Sequence, residues 1–184
     1  MFSYQKRLLF PVHVDYKDEK LARVLLEHFA GYDSELTAFM RLMHQRLQAE
    51  NPYIRDLLGM LGSEELAHME VIGTAIRKLG IDNLPLTDPK GSPWDVGYVE
   101  KEASSIELMR LNEEAENRMK KLYMKHVGMT SDSNVKKMLL FLSSREEVHQ
   151  RLFKKAGILL SQNAGNEQFS ALIHDYKMSL RIIK

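Results

Sequence analysis

Glu35, Glu65 and His68 recur as Glu116, Glu146 and His149, each 81 residues further on, with both internal spacings preserved. Each set is a lone glutamate followed, 30 residues later, by the first residue of an E-x-x-H, which reads ELAH at 65–68 and EEVH at 146–149. Residues i and i+3 share a helix face, so each motif aims a carboxylate and an imidazole at one point. Two carboxylate-bearing helices and two E-x-x-H helices are the ligand inventory of a dinuclear metal site in a four-helix bundle. Few folds can satisfy that pattern.

Residues 113–116 read EEAE, so a carboxylate near the required position needs testing by helical phase. The face of Glu116 carries Met109, Asn112, Met119 and Tyr123, whereas that of Glu114 carries Glu107, Arg110, Arg118 and Lys121. Glu113 shares a mixed face with Ile106, Arg110, Asn117 and Lys120. Only Glu116 lies among mainly apolar neighbours. Glu35 stands with Ala38, Phe39 and Leu42, Glu65 with Leu58, Leu61 and Ile72, and Glu146 with Leu139, Leu142 and Phe153. An unpaired buried ion costs several kcal/mol, against a domain stability of roughly 5–15 kcal/mol. Four such glutamates therefore require partners, and two divalent cations balance them in charge. The bland alternative, two exposed i,i+3 pairs, does not explain the apolar faces.

The 184 residues suit one domain. A hydrophobic fraction of 44% provides a core, 28% charged residues clothe it, and a net charge of +1 gives no pull toward nucleic acid or an anionic membrane. Cysteine is absent, which removes disulfides and thiolate metal sites and leaves oxygen and nitrogen ligands for hard or borderline metals. No stretch reaches the roughly 20 apolar residues of a membrane span, and the N-terminal apolar run is too short for a signal peptide. The expectation is a soluble, cytoplasmic chain.

Residues 1–17 read as an extended arm, since Pro11 and alternating Val12 and Val14 disfavour helix. Helices are predicted over about 18–50, 52–79, 100–127 and 133–160, with Asn51 and either Ser131 or Ser133 as caps. The segment 80–99 holds three of the five prolines and three glycines and forms the long crossover between two hairpins. The tail 161–184 carries one amphipathic stretch, from Phe169 to about Ile182. The expected whole is an all-α, ferritin-like four-helix bundle within a single domain over 1–184, the bundle itself at 18–160. Gly31, Gly59, Gly62 and Gly73 fall inside helices, at about 1 kcal/mol each relative to alanine, with close helix approach or local irregularity as the compensation. Apolar runs in arm and tail, such as Leu8-Leu9-Phe10 and Ile182-Ile183, point to a closed homo-oligomer.

With these residues placed, the chain resembles the manganese catalase family, most closely its short spore-coat members. The resemblance spans about residues 5–158. It rests on KRLLFPVHVD near the N-terminus, GYDSELTAFMR around Glu35, GSEELAHMEVIGTAI around Glu65 and His68, and FLSSREEVHQRLF around His149, with AENRMKKLY in the third helix. It implies two manganese ions, with Glu35 and Glu116 as terminal ligands, Glu65 as the bridge, and His68 and His149 binding one ion each. Glu146 would then be an acid/base group beside the bridging solvent. In ferritin-like di-iron proteins the equivalent carboxylate bridges instead. The family's tyrosine, seven residues after the first glutamate and hydrogen-bonded to it, is replaced here by Leu42. An arginine that some members place before the third-helix glutamate is replaced by Ala115.

The implied reaction is disproportionation of hydrogen peroxide, in a hexamer, with a spore coat as one location and coat proteins as partners. Two other readings use the same six residues. One is a di-iron peroxidase or ferroxidase of the rubrerythrin type, since the ligand set suits either metal. The other is a coat component whose metal is structural. Eleven methionines, Met40, Met69, Met109 and Met119 among them, read as gap-filling core. His28, two turns upstream of Glu35, is placed to support the site but reads better as a core or surface histidine, Trp94 reads as a packing anchor, and His13, His44, His126 and His174 fit no ligand spacing.

Overall fold

The computed structural model describes residues 9–99 and 103–180. Six α-helices follow in order: α1 Glu19–Ala30, α2 Glu35–Gln48, α3 Pro52–Leu79, α4 Ser105–Val127, α5 Ser133–Ser161 and α6 Asn166–Ser179. Helices α1 and α2 pack on α3, and α4 packs on α5, so two hairpins form the bundle that the spacing predicts. Among the described residues, the crossover between them holds a single β-bridge, Thr87 to Pro93, and a short 3-10 turn over Val96–Tyr98. Among the described residues no helix is long and apolar enough to cross a membrane.

The first bundle helix is not the continuous run expected over about 18–50. It breaks at residues 31–34, and the break is built from specific contacts. Gly31, expected inside the helix, ends α1 in extended backbone while its N–H still bonds the Glu27 carbonyl. Ser34 caps α2, its hydroxyl accepting from the Thr37 N–H at 3.1 Å. The Thr37 hydroxyl donates to the Gly31 carbonyl at 2.9 Å and accepts from the Trp94 indole at 2.9 Å. Trp94 is thus the anchor the sequence suggested, and it fastens the crossover to the break.

Other boundaries follow local chemistry. The Asn51 side chain accepts from Tyr53 and Ile54 N–H, with Pro52 at the first helical position. Gly80 ends α3 at φ +124°, a conformation glycine adopts at no steric cost. Helix α5 is capped by Asp132 rather than by Ser131 or Ser133. A carboxylate has the oxygens for two tasks: Oδ1 accepts from Asn134 and Val135 N–H, while Oδ2 accepts from Asp15 N–H at 2.6 Å and fastens the arm. Helix α4 begins at Ser105, capped by Ser104, later than the predicted start near 100.

Part of the apolar surface of arm and tail is covered within the chain itself. Phe10 stacks on Phe141 at 4.8 Å between ring centroids. Phe169, Leu172 and Tyr176 of α6 are buried against α3 and α5. Leu8 and Ile182-Ile183 lie outside the described residues. Met109 and Met119 are core as expected, but Met40 is exposed.

Two apolar clusters fill the bundle. One joins α1 to Val71–Leu79 of α3, Tyr123 and Val135–Leu142 of α5; the other joins Leu42, Ile54–Leu61, Met109, Leu152–Leu159 and α6. Along α3 and α5 the segments 64–68 and 145–149 fall between them, so a polar layer separates two apolar ends.

Candidate metal centre

All six residues singled out by spacing meet in that layer, and all are fully buried. Helix α3 supplies Glu65 and His68, α5 supplies Glu146 and His149, α4 supplies Glu116, and the break before α2 sets Glu35 as its first residue. The two imidazole rings lie 5.6 Å apart, nearly parallel. The residues form two overlapping groups, Glu35, Glu65, His68, Glu146 and Glu65, Glu116, Glu146, His149, each with one donor atom per residue within 4.8 Å of the others. Glu113 is half-buried and Glu114 exposed, as the helical phase indicates.

Glu65 and Glu146 belong to both groups. The Nδ1 atoms of both rings face inward. Glu65 lies 3.0 Å from that of His68 and 2.8 Å from that of His149. Glu146 stands further off, at 3.3 and 3.6 Å.

Burial, reinforced by Glu146 for Glu35 and by Glu65 for Glu116, pushes both of these carboxyls well above their usual range. Burial acts the same way on Glu65 and Glu146, but the two histidines outweigh it and hold these carboxyls low. Burial disfavours charge on His68 and His149 too, yet the surrounding carboxylates raise both. Protons alone would have to balance this cluster.

They leave much unsatisfied. Both oxygens of Glu116 and of Glu146, Oε2 of Glu35, Oε1 of Glu65 and Nδ1 of His149 make no hydrogen bond among the described residues. A buried polar atom left unmade costs about 1–3 kcal/mol. Converging oxygen and nitrogen donors of this kind fit a pair of divalent cations of the manganese or iron type.

Several neighbours escaped the sequence reading. The Tyr123 hydroxyl donates to Glu35 Oε1, so the hydrogen bond that Leu42 cannot make is made from the other hairpin. Leu42 is buried in the apolar core. Tyr123 is Leu42 displaced by the same 81 residues that relate the ligands, and that offset was the available signal. Behind Tyr123, His28 stacks on its ring at 3.7 Å and approaches His126 with Nε2 to Nδ1 at 2.9 Å. Burial pushes both histidines down, His126 to about 4, so the pair is neutral near pH 7. Glu64, adjacent to Glu65, is also buried and meets Arg145 Nε at 2.6 Å.

A bundle of two hairpins around paired carboxylates and E-x-x-H motifs defines a ferritin-like dinuclear-metal protein. The chain belongs to the manganese catalase family: the family model for manganese containing catalase matches residues 1–89 and 80–169. Protein CotJC of Bacillus subtilis (strain 168) is 29% identical over 182 residues, covering 88% of this chain and 96% of that protein. A probable manganese catalase of Clostridium acetobutylicum is 27% identical, covering 92% and 85%. The crystal structure of KatB, a manganese catalase from Anabaena PCC7120, superposes with a TM-score of 0.82 at 25% identity, covering 89% of this chain and 82% of that one. The cofactor that goes with the family is a manganese pair, and the buried Glu/His cluster offers its donors.

Proposed function

We propose that this chain disproportionates hydrogen peroxide at a dimanganese site, with Glu35 and Glu116 as terminal ligands, Glu65 as the bridge, His68 and His149 on one ion each, and Glu146 as the acid/base group. The observation that carries this reading is the pair of overlapping, fully buried ligand groups at the bundle centre. A manganese pair supplies a two-electron couple, which lets one peroxide be oxidised and the next reduced.

The chain supplies the rest. The apolar clusters above and below the site keep bulk water from the reacting atoms. Tyr123 holds one oxygen of Glu35 and so fixes which oxygen faces the site. Glu146, with both oxygens free of hydrogen bonds, can take a peroxide proton and return it to the departing oxygen. Its longer distances to both histidines, beside the shorter ones of Glu65, favour Glu65 as the bridge.

The test is a pair of conservative variants. Glu146→Gln keeps size and hydrogen bonding but removes the base. Manganese content should stay near two per chain while peroxide turnover falls by about 10²–10⁴-fold, the usual range for a lost general acid/base. Glu65→Gln should lower metal occupancy itself. A di-iron peroxidase or ferroxidase reading draws on one observation, that Glu146 enters both ligand groups as Glu65 does. It would gain if Glu146→Gln emptied the site as readily as Glu65→Gln, and if iron displaced manganese when both were supplied.

Similarity to CotJC over nearly that protein's whole length supports a place in the spore coat, among other coat proteins. We further expect a homo-oligomer, a hexamer being the assembly the resemblance implies. Leu47 and Val96 are 82% and 73% exposed, and self-association would cover such side chains. Light scattering at micromolar concentration should give a mass several times that of one chain; a monodisperse monomer would refute this.

A further inference from the structure

We propose that Glu64 is a positioning residue shared by both site histidines, and that Arg145 fixes it in place. This rests on the dinuclear-metal reading of the site. Both rings present Nδ1 to the ligand groups, so both present Nε2 outward, and both outward nitrogens approach the same side chain. His149 Nε2 lies 3.2 Å from Glu64 Oε2, and His68 Nε2 lies 3.6 Å from Glu64 Oε1. A neutral imidazole that binds metal through one nitrogen carries its proton on the other, and that N–H must be accepted by something. Neither Nε2 makes a hydrogen bond among the described residues, and Glu64 is the carboxylate within 3.6 Å of both, so a small shift of its side chain or of the rings on metal binding would make it their shared acceptor.

One carboxylate can serve two rings because it has two oxygens, each with more than one lone pair. Arg145 occupies the remaining capacity, with Nε at 2.6 Å from Oε1 and an amino nitrogen at 3.4 Å from Oε2. Its other contacts run to the Ser179 hydroxyl at 3.2 Å and the Ser179 carbonyl at 3.3 Å, at the end of α6. Glu64 and Arg145 are themselves related by the 81-residue offset. Where the repeat puts a ligand carboxylate in both halves, here it puts opposite charges that meet across the bundle. The pair is neutral as a unit, so it leaves undisturbed the balance between four carboxylates and two divalent ions.

The chemistry predicts an asymmetric failure. In Glu64→Gln the single amide oxygen is drawn to Arg145 Nε on the His68 side, which turns the NH2 toward His149. A donor then faces a donor. Manganese titrated into the metal-free variant should bind in two steps, with the weaker step about 10–100-fold looser than in the parent chain, as for other lost partners of ligand histidines. The double variant Glu64→Gln/Arg145→Gln removes the unpaired guanidinium. It should recover the melting temperature of the metal-free chain without recovering the weak step. Two equal, parent-like steps in either variant would reduce Glu64 to an ordinary buried ion pair and overturn the proposal. A measurement without substitution guards against variants that do not fold. Nitrogen NMR of the parent chain loaded with zinc, a diamagnetic probe, should find the proton of both site rings on Nε2. Rings bound through Nε2 would overturn the proposal and leave the metal reading standing. A parent chain that binds fewer than two ions would overturn both.

Discussion

At the scale of single residues, a hydrogen bond can be supplied from whichever half of the repeat has room for it. Leu42 fills an apolar position on α2, and Tyr123 on α4 reaches across to Glu35 instead. Tyr123→Phe keeps the ring stacked on His28 and removes only the hydroxyl. Folding and helix content should be unchanged by circular dichroism, while peroxide turnover falls by about 10–100-fold, the usual cost of losing a group that orients a ligand. Unchanged turnover would make the hydroxyl a bystander. The six proposed ligands and base were legible because spacing and helical phase agree at every one, and because a glutamate among leucines has no bland explanation. Glu64 and Arg145 were not legible. A charged residue beside a ligand reads as solvated surface until a distant residue is known to face it, and their contact spans 81 positions. Tyr123 was on the correct face from the start, but nothing local says what its hydroxyl touches.

At the scale of elements, α3, α5 and the crossover follow from caps, breakers and periodicity. The division of the first helix does not, because the bond that fastens it comes from Trp94, 57 residues away from Thr37. The start of α6 and its burial were likewise hidden, since an amphipathic stretch does not say which groove receives it. The glycines of α3 answer the question their cost raised. A Cβ at Gly73 would meet the Phe29 ring at 3.0 Å and Leu84 at 3.3 Å, whereas one at Gly62 would meet the flexible end of Met43 at 3.2 Å. Close helix approach is therefore the reason at both positions, with different tolerance. Gly62→Ala should be near neutral, since the roughly 1 kcal/mol gain in helix propensity offsets a small shift of Met43. Gly73→Ala should destabilise by about 1–3 kcal/mol, as overpacking a closed core does. Thermal unfolding of the two variants side by side distinguishes them, and equal melting temperatures would remove the packing argument.

At the scale of the whole molecule, the same short segments of α3 and α5 that carry Glu65, His68, Glu146 and His149 also separate the apolar clusters. The helices run unbroken through this layer, but many of its buried oxygens and ring nitrogens make no hydrogen bond among the described residues. Ligand binding to the folded state adds stability by mass action, and ions held by the proposed ligands would sit where the two ends of the bundle join. Amide exchange in the metal-free chain should therefore be fastest, within α3 and α5, at 64–68 and 145–149. Manganese should slow those amides more than any in 71–79 or 152–159; uniform slowing along both helices would contradict this. The polar layer has the place of a keystone in an arch: each flank is packed by its own apolar cluster, and ions held between them would tie the two flanks together. Loss of the ions would then be felt first as a loosening between two intact halves rather than as general unfolding.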